Sequence, residues 1–113
     1  MGSFNFNVNS EEKIFDVKVE GSFSEGDAVS FINQYNKHTA SFNPTEYIID
    51  LDCTDLKVSD NDVLPMLEQC YKMYKESGFS KVIFKIKQNT ILKMQLGRIA
   101  RSTGLSNYEI IEV

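Results

Sequence analysis

The chain of 113 residues contains two cysteines, one histidine and no apolar run near the roughly 20 residues that cross a bilayer. Each scarcity excludes something. Cys53 and Cys70 have only His38 beside them as a further soft ligand, short of the four that a structural zinc site takes. Buried thiols in a reducing, cytoplasmic setting are expected instead. The stretch MGSFNFNVNS has no basic segment leading into an apolar one, so neither a secretory leader nor membrane insertion is expected. A glycine-rich phosphate cradle is missing too. GSFSEG, at 21–26, matches neither the dinucleotide fingerprint nor the P-loop. His38 falls at a predicted helix end, where a surface residue beside the helix dipole is the ordinary explanation, so nucleophilic catalysis lacks its base. No cofactor is expected, and there are no repeats, low-complexity tracts or internal linkers.

What is present reads as an ordinary globular chain. Hydrophobic residues make up 42% and charged residues 25%, which excludes wholesale disorder and predicts one domain over 1–113 with its own core. The net charge of −4 conceals an asymmetry. Residues 1–70 hold 13 acidic and 4 basic side chains, and residues 71–113 hold 3 acidic and 8 basic ones. A dipole of this kind predicts a charged binding face or head-to-tail association.

Periodicity sets the order of elements. SFNFNVN alternates Phe4, Phe6 and Val8, KIFDVKVEG alternates Phe15, Val17 and Val19, and the polar link NSEEK suits a hairpin between two half-buried strands. In SEGDAVSFINQYNKH the period lengthens. Ser24 and Asp27 have capping-box spacing, and Ala28, Phe31, Ile32 and Tyr35 share one helical face. Tyr47 to Leu51 reads as a short apolar strand buried within a sheet. A second helix carries Val63, Met66, Leu67, Cys70, Met73 and Tyr74 on one stripe and ends at Gly78. KVIFKI is the next strand. A third helix, capped by Asn89 or Thr90, places Leu92, Leu96, Ile99 and Ala100 inward, stops at Gly104, and YEIIEV follows as a last strand. The order β-β-α-β-α-β-α-β predicts an α/β fold with a mixed, mostly parallel sheet and an N-terminal antiparallel hairpin.

Two chemical motifs stand out within that frame. Asp50, Asp52, Asp55, Asp60 and Asp62 gather around the end of the central strand, where an acidic metal site of an α/β sheet would form. No lysine-threonine or lysine-serine motif accompanies them, and solvated loop and cap carboxylates are the simpler reading; no metal is expected. LGRIARSTGLS resembles the first half of a helix-turn-helix, but the strand-like NYEIIEV stands where the recognition helix belongs. Sequence-specific nucleic-acid binding is therefore rejected, leaving Lys93, Arg98 and Arg101 as a basic patch.

The turn DLKVSDND raises the functional question. Proline fits only the first positions of a helix, and Pro65 in a helix interior costs about 3 kcal/mol. Pro65 therefore places the N-cap at about Asp62 or one or two residues later, with Asp62 as the predicted cap and Ser59 in the loop ahead.

The element order, the strand YIIDLD, this polar turn and the helix VLPMLEQCYKMYKESG together resemble the STAS domain, typified by bacterial anti-sigma factor antagonists. VKVEGSFSEGDAVSFINQY is similar to that family's second strand, glycine and first helix, and LGRIARSTGLSNYEIIEV to its closing helix and strand. The resemblance implies a non-enzymatic regulatory module. In the family the turn commonly reads Asp-Ser-Ser-Gly, with a serine phosphorylated by a partner kinase. Aligning on Leu64 and Leu67 puts Asp60, Asn61, Asp62 and Val63 there. Ser59 matches the phosphoacceptor only after a shift of two or three residues. The leading expectation is a module that docks a protein, an anti-sigma factor or a serine kinase, through Val58, Ser59, Asp60, Asn61 and Asp62, with Ser59 as the candidate phosphorylation site. The alternative is a self-associating structural module, a homo-oligomer that pairs its acidic and basic parts. A metal-dependent hydrolase using the aspartates comes third.

Overall fold

The computed structural model describes residues 2–57 and 62–113. Its strands are β1 (Ser3–Asn9), β2 (Ile14–Gly21), β3 (Ile48–Leu56), β4 (Lys81–Ile86) and β5 (Tyr108–Glu112). Its helices are α1 (Glu25–Thr39), α2 (Leu64–Ser77) and α3 (Thr90–Thr103), and a single 3-10 turn, Pro44–Glu46, leads into β3. The strands form one sheet in the order β1-β2-β3-β4-β5, with β1 antiparallel to β2 and every other neighbour parallel. The predicted α/β architecture and mixed sheet are therefore present.

The sequential order has a steric consequence. Each crossover steps to the next strand in the same direction, and right-handed connections then carry every helix to the same face of the sheet. Burial follows that rule. Phe15, Val17, Val19, Ile49, Leu51, Cys53, Val82, Phe84 and Ile86 are buried, and they alternate with half-buried residues such as Asp16, Lys18, Asp50, Asp52 and Lys85 on the other face. From the helices, Ala28, Phe31 and Tyr35 of α1, Cys70, Tyr71 and Tyr74 of α2, and Leu92, Leu96, Ile99 and Ala100 of α3 close the core. The Tyr35 hydroxyl and Ser77 Oγ, 2.7 Å apart, tie α1 to α2.

Local chemistry sets the boundaries. Ser24 Oγ accepts from the Asp27 amide (3.1 Å) and Asp27 Oδ2 from the Ser24 amide (3.0 Å), the predicted capping box. Asn89 Oδ1 accepts from the Leu92 amide at 3.0 Å, so of the two predicted caps of α3 Asn89 is the one used. Gly78 and Gly104 end α2 and α3 at φ 79° and 74°, where any other residue would carry a steric cost.

Three expectations change. The strand predicted from Tyr47 to Leu51 runs instead from Ile48 to Leu56, and only every second residue is buried, because no helix covers its other face. Asp52 and Asp55 accordingly join Asp50 in β3 itself rather than lying in a loop after it. On α2, Tyr71 is buried while Met66, Leu67 and Met73 are only half-buried. As the middle helix, α2 packs against α1 on one side and α3 on the other, so its buried arc is rotated and wider than a single stripe. Finally, Asp62 is not the cap. The N-cap is Val63, itself in helical conformation and without a side-chain cap hydrogen bond. Proline at the second helical position offers no N–H, and the Met66 amide is taken by the Val63 carbonyl at 2.9 Å. A carboxylate capping from position 62 would bind the amides of residues 64 and 65, and the second of these is the proline. The buried Val63 side chain anchors the helix start in place of a cap.

Candidate interaction surface

Of the five residues predicted to dock a partner, Val58, Ser59, Asp60 and Asn61 lie outside the described residues, and Asp62 is exposed immediately ahead of α2. Two large apolar side chains on α3 face water, Ile91 at 67% and Met94 at 56% exposure. They border a groove of about 390 Å³ between α3 and the first turns of α2, with Leu64 and Glu68 on the α2 side and Arg98 towards the far end of α3. Met94 and Arg98 also border a second hollow, of about 330 Å³, which reaches Arg101 and Tyr108. Met94 and Arg98 therefore stand on a ridge between two depressions, and Ile91 extends its apolar part along the first of them.

The predicted basic patch divides. Lys93 is held by Glu112 at 3.2 Å, whereas Arg98 and Arg101 are exposed and make no ion pair among the described residues. Both guanidinium groups remain available beside the apolar ridge. Periodicity in the sequence located the inner face of α3 but not this outer one, since Ile91 and Met94 give no pattern of their own. Their signal was two apolar residues left off the predicted stripe.

The open face of the sheet is polar and internally paired. Lys85 meets Asp50 at 2.9 Å, Lys87 meets Asp55 at 3.4 Å, and Lys18 reaches Asp55 at 3.3 Å and Asp52 at 3.9 Å. A register shift between Lys18 and Glu20 places Asp55 opposite Glu20, where an unbroken register would place Thr54. This bulge turns Asp55 onto the open face, and it turns Leu56 towards the helices. The hydrogen bonds from Lys18 and Lys87 hold the Asp55 carboxyl below its ordinary pKa. Asp16, facing Asp50 across the sheet, goes the other way: partial burial and the repulsion of Asp50 raise it. Among the described residues no group of three or more histidine, cysteine, aspartate or glutamate side chains is arranged to hold a metal ion.

The remaining candidates have structural surroundings. His38 is half-buried; its Nδ1 lies 2.9 Å from the Gln34 carbonyl and its ring stacks on Phe6 with centroids 4.9 Å apart. Cys53 and Cys70 are free and buried, and burial pushes both thiols up to about 12, far from a reactive thiolate at neutral pH. No described helix is long and apolar enough to cross a membrane.

No family model matches the chain, and no curated protein matches it. Among solved structures it is similar to an uncharacterized protein of the DUF3478 family from Shewanella loihica PV-4, which has a SpoIIAA-like fold. The likeness has a TM-score of 0.71 at 12% identity and covers 99% of this chain and 86% of that one. The chain thus has the SpoIIAA-like fold, the architecture of the anti-sigma factor antagonists that its sequence resembles.

Proposed function

We propose that this protein is a non-enzymatic, regulatory interaction module that docks a protein partner over the turn 58–62, the start of α2 and the outer ridge of α3. The observation that carries the reading is the pair Ile91 and Met94, exposed beside a groove that begins at Leu64, directly after the turn. Interfaces combine an apolar centre with a polar rim, and arginine is enriched in them. Here Ile91, Met94 and Leu64 supply the first, and Arg98, Glu68 and the aspartates of the turn supply the second. The SpoIIAA-like fold supports a regulatory partner such as an anti-sigma factor or a serine kinase. Support for a non-catalytic role comes from His38, engaged with Gln34 and Phe6, and from thiols held neutral by burial. Ser59 is the proposed phosphorylation site. A phosphate there adds about −1.5 to −2 charges, is repelled by Asp60 and Asp62, and so loosens whatever partner is docked on the turn.

The test is photo-crosslinking from position 94 of the full chain in its own cell, followed by titration of the captured protein in purified form. Met94→Glu, and separately Asp60→Lys with Asn61→Arg, should each weaken binding by about tenfold or more, the loss of about 1.4 kcal/mol or greater that interface anchors give. Unchanged affinity in both variants removes this surface from the proposal. Ser59→Asp should weaken binding while the melting temperature stays the same.

A further inference from the structure

The two edges of the sheet are finished differently. β5 is five residues long and carries two glutamates, Glu109 paired with Lys81 at 2.6 Å and Glu112 with Lys93 at 3.2 Å. Charges on a short edge strand discourage another chain from adding to it. β1 has none of this protection. It is seven residues long, pairs with β2 in unbroken register, and alone of the five described strands carries no charged side chain. On its outer side the backbone N–H and C=O groups of every second residue have no strand to meet.

Its side chains divide by face. Phe4 and Phe6 point towards the helices and meet Phe31 of α1 with ring centroids 5.5 and 5.3 Å away. Both, and Val8 with them, stay half-buried because the sheet ends beside them. Ser3, Asn5, Asn7 and Asn9 alternate with them on the open face.

We propose that β1 pairs antiparallel with β1 of a second copy of this chain, joining two five-stranded sheets into one of ten strands. Identical antiparallel strands close on a twofold axis. Full overlap of the seven residues puts that axis at Phe6, with position 5 of one copy opposite position 7 of the other. Asparagine and serine side chains each donate and accept, so the open-face residues meet their own kind without mismatch, as like charges could not. On the helix side Phe6 meets Phe6 and Phe4 meets Val8, covering apolar surface that one copy leaves half-exposed. The edges left over are the two charged β5 strands, so association stops at two and does not grow into a fibre. The docking surface stays free on both copies, because α1 is the helix that packs on β1, whereas α3 packs on β5 at the other edge.

Sedimentation of the full chain from about 1 µM to about 1 mM covers the affinities of a small interface. The weight-average mass should rise from that of one chain towards that of two. Asn5→Lys with Asn7→Lys sets like charges against each other across the axis and should keep the protein monomeric, and so should Asn5→Glu with Asn7→Glu. Mixed in equal amounts, the lysine and glutamate variants should associate at least as tightly as the wild type, a rescue that a damaged fold cannot give. Met94→Glu, on the docking surface, should associate like the wild type. The pairing is overturned by a wild-type chain that is monomeric at about 1 mM, by a lysine variant that still associates, by a mixture that does not, or by loss of association in Met94→Glu.

Discussion

Replacing Tyr71 by phenylalanine removes one oxygen from the middle of the core, and its effect on stability can be worked out. The hydroxyl is desolvated on folding and gains no partner among the described residues. Leaving such a group unsatisfied costs about 1–3 kcal/mol, and that cost disappears in the variant. Against it stands the space vacated by the oxygen. Some 10–15 Å³ at about 24 cal/mol per Å³ lowers the gain by roughly 0.3 kcal/mol. Ring stacking between position 71 and Phe84, at 5.1 Å, is retained because phenylalanine keeps the ring. The expected result is a stabilisation of about 1–2.5 kcal/mol. At about 2.1 cal/mol/K per residue, 113 residues give a melting entropy near 240 cal/mol/K, so Tm should rise by about 4–10 °C. Calorimetry measures it directly, and urea titration should show a higher midpoint at unchanged slope. A satisfied hydroxyl contributes about 0.5–1.5 kcal/mol instead. A fall in Tm of about 2–6 °C would therefore mean that Tyr71 has a partner, and the reasoning fails.

Alkaline pH should unfold the protein early. Burial raises Cys53, Cys70 and Tyr35 each to about 12, whereas the unfolded chain releases these protons from about 9 for the thiols and 10 for the phenol. Their contribution to stability is complete below the unfolded values and is lost as pH rises towards 12, at about 1.4 kcal/mol per group per pH unit. Far-UV circular dichroism should show unfolding begin above about pH 10, and a signal unchanged to pH 12 would contradict the buried assignments. The two helix starts should respond differently to truncation. Ser24→Ala removes half of a capping box and should cost about 0.5–2 kcal/mol, while Asp62→Ala should change stability by less than about 0.5 kcal/mol, both read by urea denaturation. A clear loss in Asp62→Ala would restore the aspartate as a cap.

Most of the architecture was legible because it rests on period and punctuation. The alternation of Phe15, Val17 and Val19, the Ser24–Asp27 pair, and the stops at Gly78 and Gly104 each act within a few residues of themselves. The misreadings came from effects that are not local. YIID looked like a fully buried strand because apolar neighbours in sequence do not reveal that every crossover falls on one side. Tyr71 was left off the α2 stripe because helical periodicity assumes one packing partner, whereas α2 has neighbours on two sides as well as the sheet beneath. Asp62 looked like a cap because its residue type is right, but the neighbouring proline had already removed a donor it would bind. The outer ridge of α3 and the orphaned hydroxyl could not be read from pattern at all, since each depends on what three-dimensional packing leaves uncovered or unmatched.

The charge asymmetry shows how a sequence-level signal changes meaning once the chain is folded. The acidic first 70 residues and basic remainder suggested two molecules pairing head to tail. In the fold, Lys85 and Lys87 from the basic part meet Asp50 and Asp55 from the acidic part across the open face. Parallel strands drawn from the two halves lie side by side, so complementary charge along the chain becomes complementary charge within one sheet. These pairs are about 40% or more exposed on the lysine side, and each contributes only about 0.2–1 kcal/mol. Their larger effect is on what remains for a partner. The lysines that head-to-tail association would use on this face are already engaged, while Arg98 and Arg101 on α3 make no ion pair among the described residues. The proposed docking surface accordingly draws its charge from the helical side, where the exposed Ile91 and Met94 also lie. Raising the salt concentration should therefore slow association with an acidic partner at that ridge while leaving its apolar contacts, and the dissociation rate they set, largely unchanged.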